Sequence, residues 1–186
     1  MSGMIIHLDE IGEKESRISL TVVADVEKMN VLLEPSDYRA LSGLRAELDI
    51  NVVGDTLRIV GELDIELGFH CGRCLEARRR PLTFDAEFVL VPRAIWAARY
   101  EVEDEVELSD DDMDVSFYEG EEIDLRPLIR EAILLELPTL PRCSDDEREQ
   151  CDQAYRANVG AAALKQLDEA SIDLRWSALK DIKLKE

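Results

Sequence analysis

Cys71 and Cys74 bracket a glycine and an arginine in the stretch FHCGRCLEARRR, residues 69–80. That spacing is the one by which a tight turn brings two thiolates onto a single tetrahedral ion. Two sulfurs make half of such a site. The other thiols, Cys143 and Cys151, lie far downstream with seven residues between them, so a four-thiolate zinc site needs the chain near residue 143 to fold back over the turn. Zinc is the expected cofactor where all four converge; otherwise the cysteines are small thiols packed at a strand end. A redox pair is a weaker reading. The redox motif sits where a strand runs into a helix N-terminus that lowers a thiol pKa, whereas this pair falls in a predicted hairpin turn.

Positive charge gathers around the same turn, against the trend of the chain. Arg73, Arg78, Arg79 and Arg80 are candidates for contact with RNA phosphate or a partner, and Arg79 is equally suited to an ion pair with Glu66 on the neighbouring strand. The opposite charge collects at residues 101–124, which hold thirteen acids and no base; without them the rest of the chain carries only −7. Within that loop, Asp110, Asp111, Asp112 and Asp114 form an acidic segment suited to basic partners. Asp110, Asp112, Asp114 and Glu121 match four positions of a calcium loop, but Val115 stands where the sharp turn needs glycine, so calcium binding is not expected. His7 and His70 lack a nucleophile motif beside them, and no phosphate loop, HExxH or GxSxG occurs. No enzyme activity and no small-molecule substrate are indicated.

The elements that must position these residues are read from hydrophobic period. Residues 46–90 alternate with period two. A turn at Gly54 and Asp55 places Val52 opposite Leu57 and Ile50 opposite Ile59. A second turn at Gly72 and Arg73 pairs Cys71 with Cys74, and Leu63 with Leu82. It also sets Ile59 against Ala86, Leu57 against Phe88, Glu66 against Arg79 and Arg58 against Glu87. Pro81 marks an edge or a bulge in the third strand of this meander. RISLTVVA is a further strand and MIIHL a weaker one, while residues 36–43 suit a short helix or turn with Ser36 as a cap. PRAIWAARY suits one or two helical turns. The main helix is DLRPLIREAILLELP, capped by Asp124 and stopped by Pro138, and it should cover the sheet. A more polar helical stretch spans about 145–169.

The chain's 186 residues, 46% hydrophobic, suit one domain with an appended helical segment. No signal-peptide-like run opens it and no 18-residue apolar run occurs, so it reads as soluble and cytoplasmic with no membrane role. Forty-two acids against 22 bases oppose adventitious binding to nucleic acid and favour basic partners.

The order CGRCLE, an acidic loop, EEIDLRPLIREAILLELPTLPRC and a terminal IDLRWSALKDIK resembles the YceD-like family of bacterial and plastid proteins, also called large ribosomal RNA subunit accumulation protein. The resemblance covers nearly the whole chain. It implies a part in accumulation or processing of large-subunit ribosomal RNA and no known enzymatic activity. The family's hallmarks fall on Cys71, Cys74 and Leu75 and on Ile123, Asp124, Leu125, Glu131 and Pro138. Many relatives carry a second Cys-x2-Cys-Gly before an Ala-Asn-Leu-Asn-like run. Here Ala154 follows three residues after Cys151 and only ANVG at 157–160 echoes that run, so either Cys143 and Cys151 join the first pair or this member holds no metal.

The expectation is an α+β protein: a curved antiparallel β-meander or partial barrel, packed by one main helix. Residues 1–142 form that domain, with the acidic loop at 101–123, and 143–186 form a C-terminal helical extension. Its expected partners are ribosomal RNA or a large-subunit precursor particle and basic ribosomal proteins, with a zinc-binding or redox-responsive module built on the four cysteines as the alternative.

Overall fold

Period-two alternation and the Gly54–Asp55 turn build the centre of the fold as expected. A computed structural model describes residues 4–11, 18–100 and 115–160. Two compact units divide the chain: one joins Met1–His70 with Ala77–Pro141, and the other joins Cys71–Glu76 with the chain from Arg142 on.

In the first unit, strands β2 (Ile18–Ala24), β3 (Tyr38–Ala40), β4 (Leu44–Val53), β5 (Thr56–His70), β6 (Ala77–Pro92) and β7 (Val115–Tyr118) form one sheet. Its order is β2-β4-β5-β6-β7, with β3 also on β5, and it is antiparallel except for the parallel β6–β7 edge. The sheet is curved and does not close into a barrel. Val52 pairs with Leu57 and Ile50 with Ile59, as the alternation required. β3 and β4 share one edge of β5 but differ in register by two residues. The excess is taken up at residues 41–43, where the N–H groups of Leu41 and Ser42 both donate to the Glu66 carbonyl, a bulge that bends the strand. Gly61 faces the core where β4 comes closest. A Cβ there would lie 2.0 Å from the Glu47 carbonyl oxygen, so only glycine permits this approach.

The β5–β6 register differs from the sequence expectation. Leu63 pairs with Phe84, Ile65 with Leu82, Ile59 with Phe88 and Leu57 with Leu90, a slip of two residues. The cause is the connection, which is the six residues Cys71–Glu76 rather than a two-residue turn. An even slip leaves every side chain on its face, so hydrophobic alternation alone does not distinguish the two registers. The expected charge pairs survive as diagonals: Arg58 lies 2.6 Å from Glu87, and Arg79 lies 3.7 Å from Glu66. Pro81 pairs with Glu66 on the β5 side and has no described strand on its other side, where its missing N–H costs nothing.

Helices α1 (Val26–Leu33) and α3 (Leu125–Leu135) pack Met29, Leu33, Leu125, Leu128, Ile129 and Ile133 into the core formed by the inner face of the sheet. α3 has the predicted cap, the Asp124 carboxylate accepting from the Arg126 N–H at 2.9 Å. It is entered from a two-stranded sheet of β1 (Ile5–His7) and β8 (Glu122–Asp124), and the Leu125 N–H donates to the Met4 carbonyl. α2 (Arg93–Tyr100) follows β6 directly, as PRAIWAARY suggested. Of the short helix or turn expected at 36–43, the structure has the turn, where Ser36 accepts from the Tyr38 N–H on the way into β3; the helix of this region lies upstream as α1, capped by Asp25. Asn30 ties α1 to β3 through both the N–H and the carbonyl of Ala40.

In the second unit, a 3₁₀ turn at Asp145–Glu147 leads into α4 (Arg148–Val159). No helix among the described residues is long and apolar enough to cross a membrane.

Candidate metal centre

The second unit is built around sulfur. After Cys71 the chain turns through Gly72, Arg73 and Cys74, and the Leu75 N–H donates to the Cys71 carbonyl at 2.9 Å with Leu75 in the left-handed region (φ 63°). The Cys71 N–H donates to the Glu76 carbonyl at 3.0 Å and closes the loop. This is a knuckle and not a two-residue hairpin turn. Its backbone N–H groups point at sulfur.

Downstream, Ser144 and Glu147 form a capping box on the 3₁₀ turn, with the Ser144 N–H and hydroxyl both donating to the Glu147 carboxylate, and that turn runs directly into α4 a few residues after Cys143. Cys151 then falls in the first turn of α4, which is how seven intervening residues still bring Cys143 and Cys151 together. Asn158, near the far end of α4, donates to the Cys74 carbonyl at 2.7 Å and fastens the helix to the knuckle.

Four sulfurs converge. Cys71 Sγ lies 3.9 Å from Cys151 Sγ and Cys74 Sγ lies 3.6 Å from Cys143 Sγ, and all four fall within 4.8 Å of one another without a disulfide. Zinc bound tetrahedrally by thiolates at about 2.3 Å sets sulfur–sulfur edges of about 3.8 Å, so the four thiols match the donor set in type, number and spacing. Cys71, Cys74 and Cys151 are buried and Cys143 is half-buried. Burial raises the Cys71 pKa, but the backbone N–H groups of Cys74, Arg73 and Cys143 at its sulfur outweigh that and bring it to about 6. Cys151 is pushed up to about 12 by burial and then by the three neighbouring thiols. The cluster thus favours a thiolate at Cys71 and disfavours one at Cys151, which a bound cation would allow to ionise.

The predicted arginines do not act alike. Arg73 belongs to this unit, where it meets Asp152 at 2.5 Å and stacks 5.1 Å from the Tyr155 ring centroid. Arg78, Arg79 and Arg80 belong to the sheet unit and alternate along β6. Arg80 lies over the Phe69 ring at 5.5 Å, while Arg79 reaches Glu66 on the opposite face. Asp110, Asp111, Asp112 and Asp114 lie outside the described residues. Sequence reading overlooked Asp152 and Asn158, and it overlooked Ser144-x-x-Glu147, the local signal that placed Cys151 on a helix start.

The family described as Large ribosomal RNA subunit accumulation protein YceD matches residues 59–183, which include all four cysteines. No curated protein and no solved structure matches the chain.

Proposed function

This chain belongs to the YceD family, and from that membership we propose that it acts in the accumulation of large-subunit ribosomal RNA as a binding factor that catalyses no reaction. The family description names accumulation of an RNA and no chemical step. In this reading the protein works in the cytoplasm, and Arg73, Arg78, Arg79 and Arg80 meet phosphates of ribosomal RNA or of a large-subunit precursor particle. The acidic segment with Asp110, Asp111, Asp112 and Asp114 engages basic ribosomal proteins. The observation that carries the reading is the family match over residues 59–183. The run Arg78–Arg80, on the stretch of β6 that β7 does not cover, supports the RNA contact. Sedimentation of the tagged protein at low salt tests it: the protein travels with large-subunit precursors, and a triple Arg78, Arg79, Arg80→Gln variant shifts toward the free fractions. Absence of the parent protein from those fractions refutes the reading.

A second reading is favoured by the sulfur geometry. The four thiols hold zinc, with Cys71 and Cys74 from the knuckle, Cys143 from the segment before the 3₁₀ turn and Cys151 from the beginning of α4. A closed four-thiolate site leaves no position for a water or substrate, so the ion's chemistry here is structural. Metal analysis of protein purified under reducing conditions gives one zinc per chain, lost in Cys71→Ser. Protein without zinc whose thiols close to disulfides under mild oxidant would instead identify a redox-responsive module.

A further inference from the structure

We propose that Arg142 and Arg148 are the counter-charges of a zinc tetrathiolate at Cys71, Cys74, Cys143 and Cys151, an inference that rests on the metal reading above. Four thiolates on one divalent cation form a dianion, and a charge held among buried groups must be matched nearby. A cavity of about 210 Å³ borders the cluster, lined by Cys143, Cys151, Arg73, Arg142, Arg148 and Asp145. Arg73 is already matched by Asp152. The side chains of Arg142 and Arg148 make no ion pair or hydrogen bond among the described residues. Asp145, Asp146 and Glu149 are close in sequence, and Asp145 lines the same cavity, yet none pairs with either guanidinium.

In a chain with 42 acids and 22 bases, two exposed arginines that line a cavity with two of the sulfurs and have no carboxylate partner among the described residues are available to another anion. The metal-loaded cluster is that anion, with a formal charge equal and opposite to the pair. The local chain geometry agrees. Arg148 precedes Cys151 by three residues on α4, which puts both on one side of the helix, and Arg142 adjoins Cys143.

The test uses the full chain under reducing conditions at low salt, with zinc affinity read by competition against a chromophoric chelator. Arg142→Gln/Arg148→Gln weakens zinc about ten- to a hundredfold, the usual effect of losing outer-shell partners. Arg142→Lys/Arg148→Lys, which keeps both charges, retains most of the affinity. Cobalt-substituted samples of parent and both variants show the same thiolate-to-cobalt band, proving that all four ligands remain. Equal affinity of the Gln variant and the parent overturns the proposal, as does equal weakening in the Gln and Lys variants. A Gln variant that keeps its zinc affinity but loses affinity for RNA also overturns it, because the arginines would then serve an external phosphate. A parent protein that binds no zinc removes the metal reading itself, and this inference with it.

Discussion

The sheet unit buries Leu48, Ile59, Leu63 and Ile129 at 1% exposure or less within a continuous aliphatic core, whereas the described part of the second unit gathers Cys71, Cys74 and Cys151 with Cys143, Ala154 and Tyr155 packed against them. The first arrangement removes enough apolar surface from water to offset the entropy of ordering its chain. Among the described residues the second offers less: three small thiols and one ring against a knuckle and a 12-residue helix. Units of that kind are held by hydrogen bonds, by a bound ion, or by both. The Asn158–Cys74 bond and the Arg73–Asp152 pair supply the first, and the sulfur cluster is suited to the second.

The sharpest way to break this contrast is to remove metal. A strong chelator under reducing conditions leaves the sheet unit folded and melts α4, because a structural zinc contributes about 10–16 kcal/mol of binding free energy that is also folding free energy. Amide exchange checks it: residues 148–159 lose protection while β4 and β5 keep theirs, and an α4 that stays protected removes the distinction. Next in size is Leu63→Ala, which costs the sheet unit about 2–5 kcal/mol in a denaturant titration and leaves zinc content unchanged. Gly61→Ala forces a methyl group against the Glu47 carbonyl and is expected to cost about 1–3 kcal/mol in the same titration, again without touching the metal. The smallest effect is that of Asn158→Ala. Loss of one hydrogen bond lowers the second unit's stability by about 1 kcal/mol, seen as faster exchange in α4 with the sheet unaffected.

How much was legible beforehand follows the range of the interactions. The β4–β5 hairpin was readable because a two-residue turn at Gly54 and Asp55 leaves one register in which both apolar rows share a face. The β5–β6 register was not, because the longer excursion at Cys71–Glu76 shifts it by two and an even shift leaves the same pattern. The main helix was readable from Asp124, Pro138 and the stripe between them. α1 escaped notice because it is short and mixes Val26 and Val31 into its pattern, so its helical period is brief; its burial of Met29 and Leu33 beneath the sheet stabilises it. At the candidate site, the first cysteine pair announced itself by spacing, while the second had to be accepted on chain order alone.

Local chemistry written along the chain was enough to specify strands, caps, one turn and a pair of thiols ready for an ion, since each depends on neighbours a few residues away. Closure of the sulfur cluster was decided in three dimensions: Cys143 and Cys151 meet Cys71 and Cys74 where a capped 3₁₀ turn leads into α4 and Asn158 fastens that helix to the knuckle. Convergence of groups some 70 to 80 residues apart, 69 between Cys74 and Cys143 and 80 between Cys71 and Cys151, depends on the path of the backbone between them, and no local pattern encodes that path.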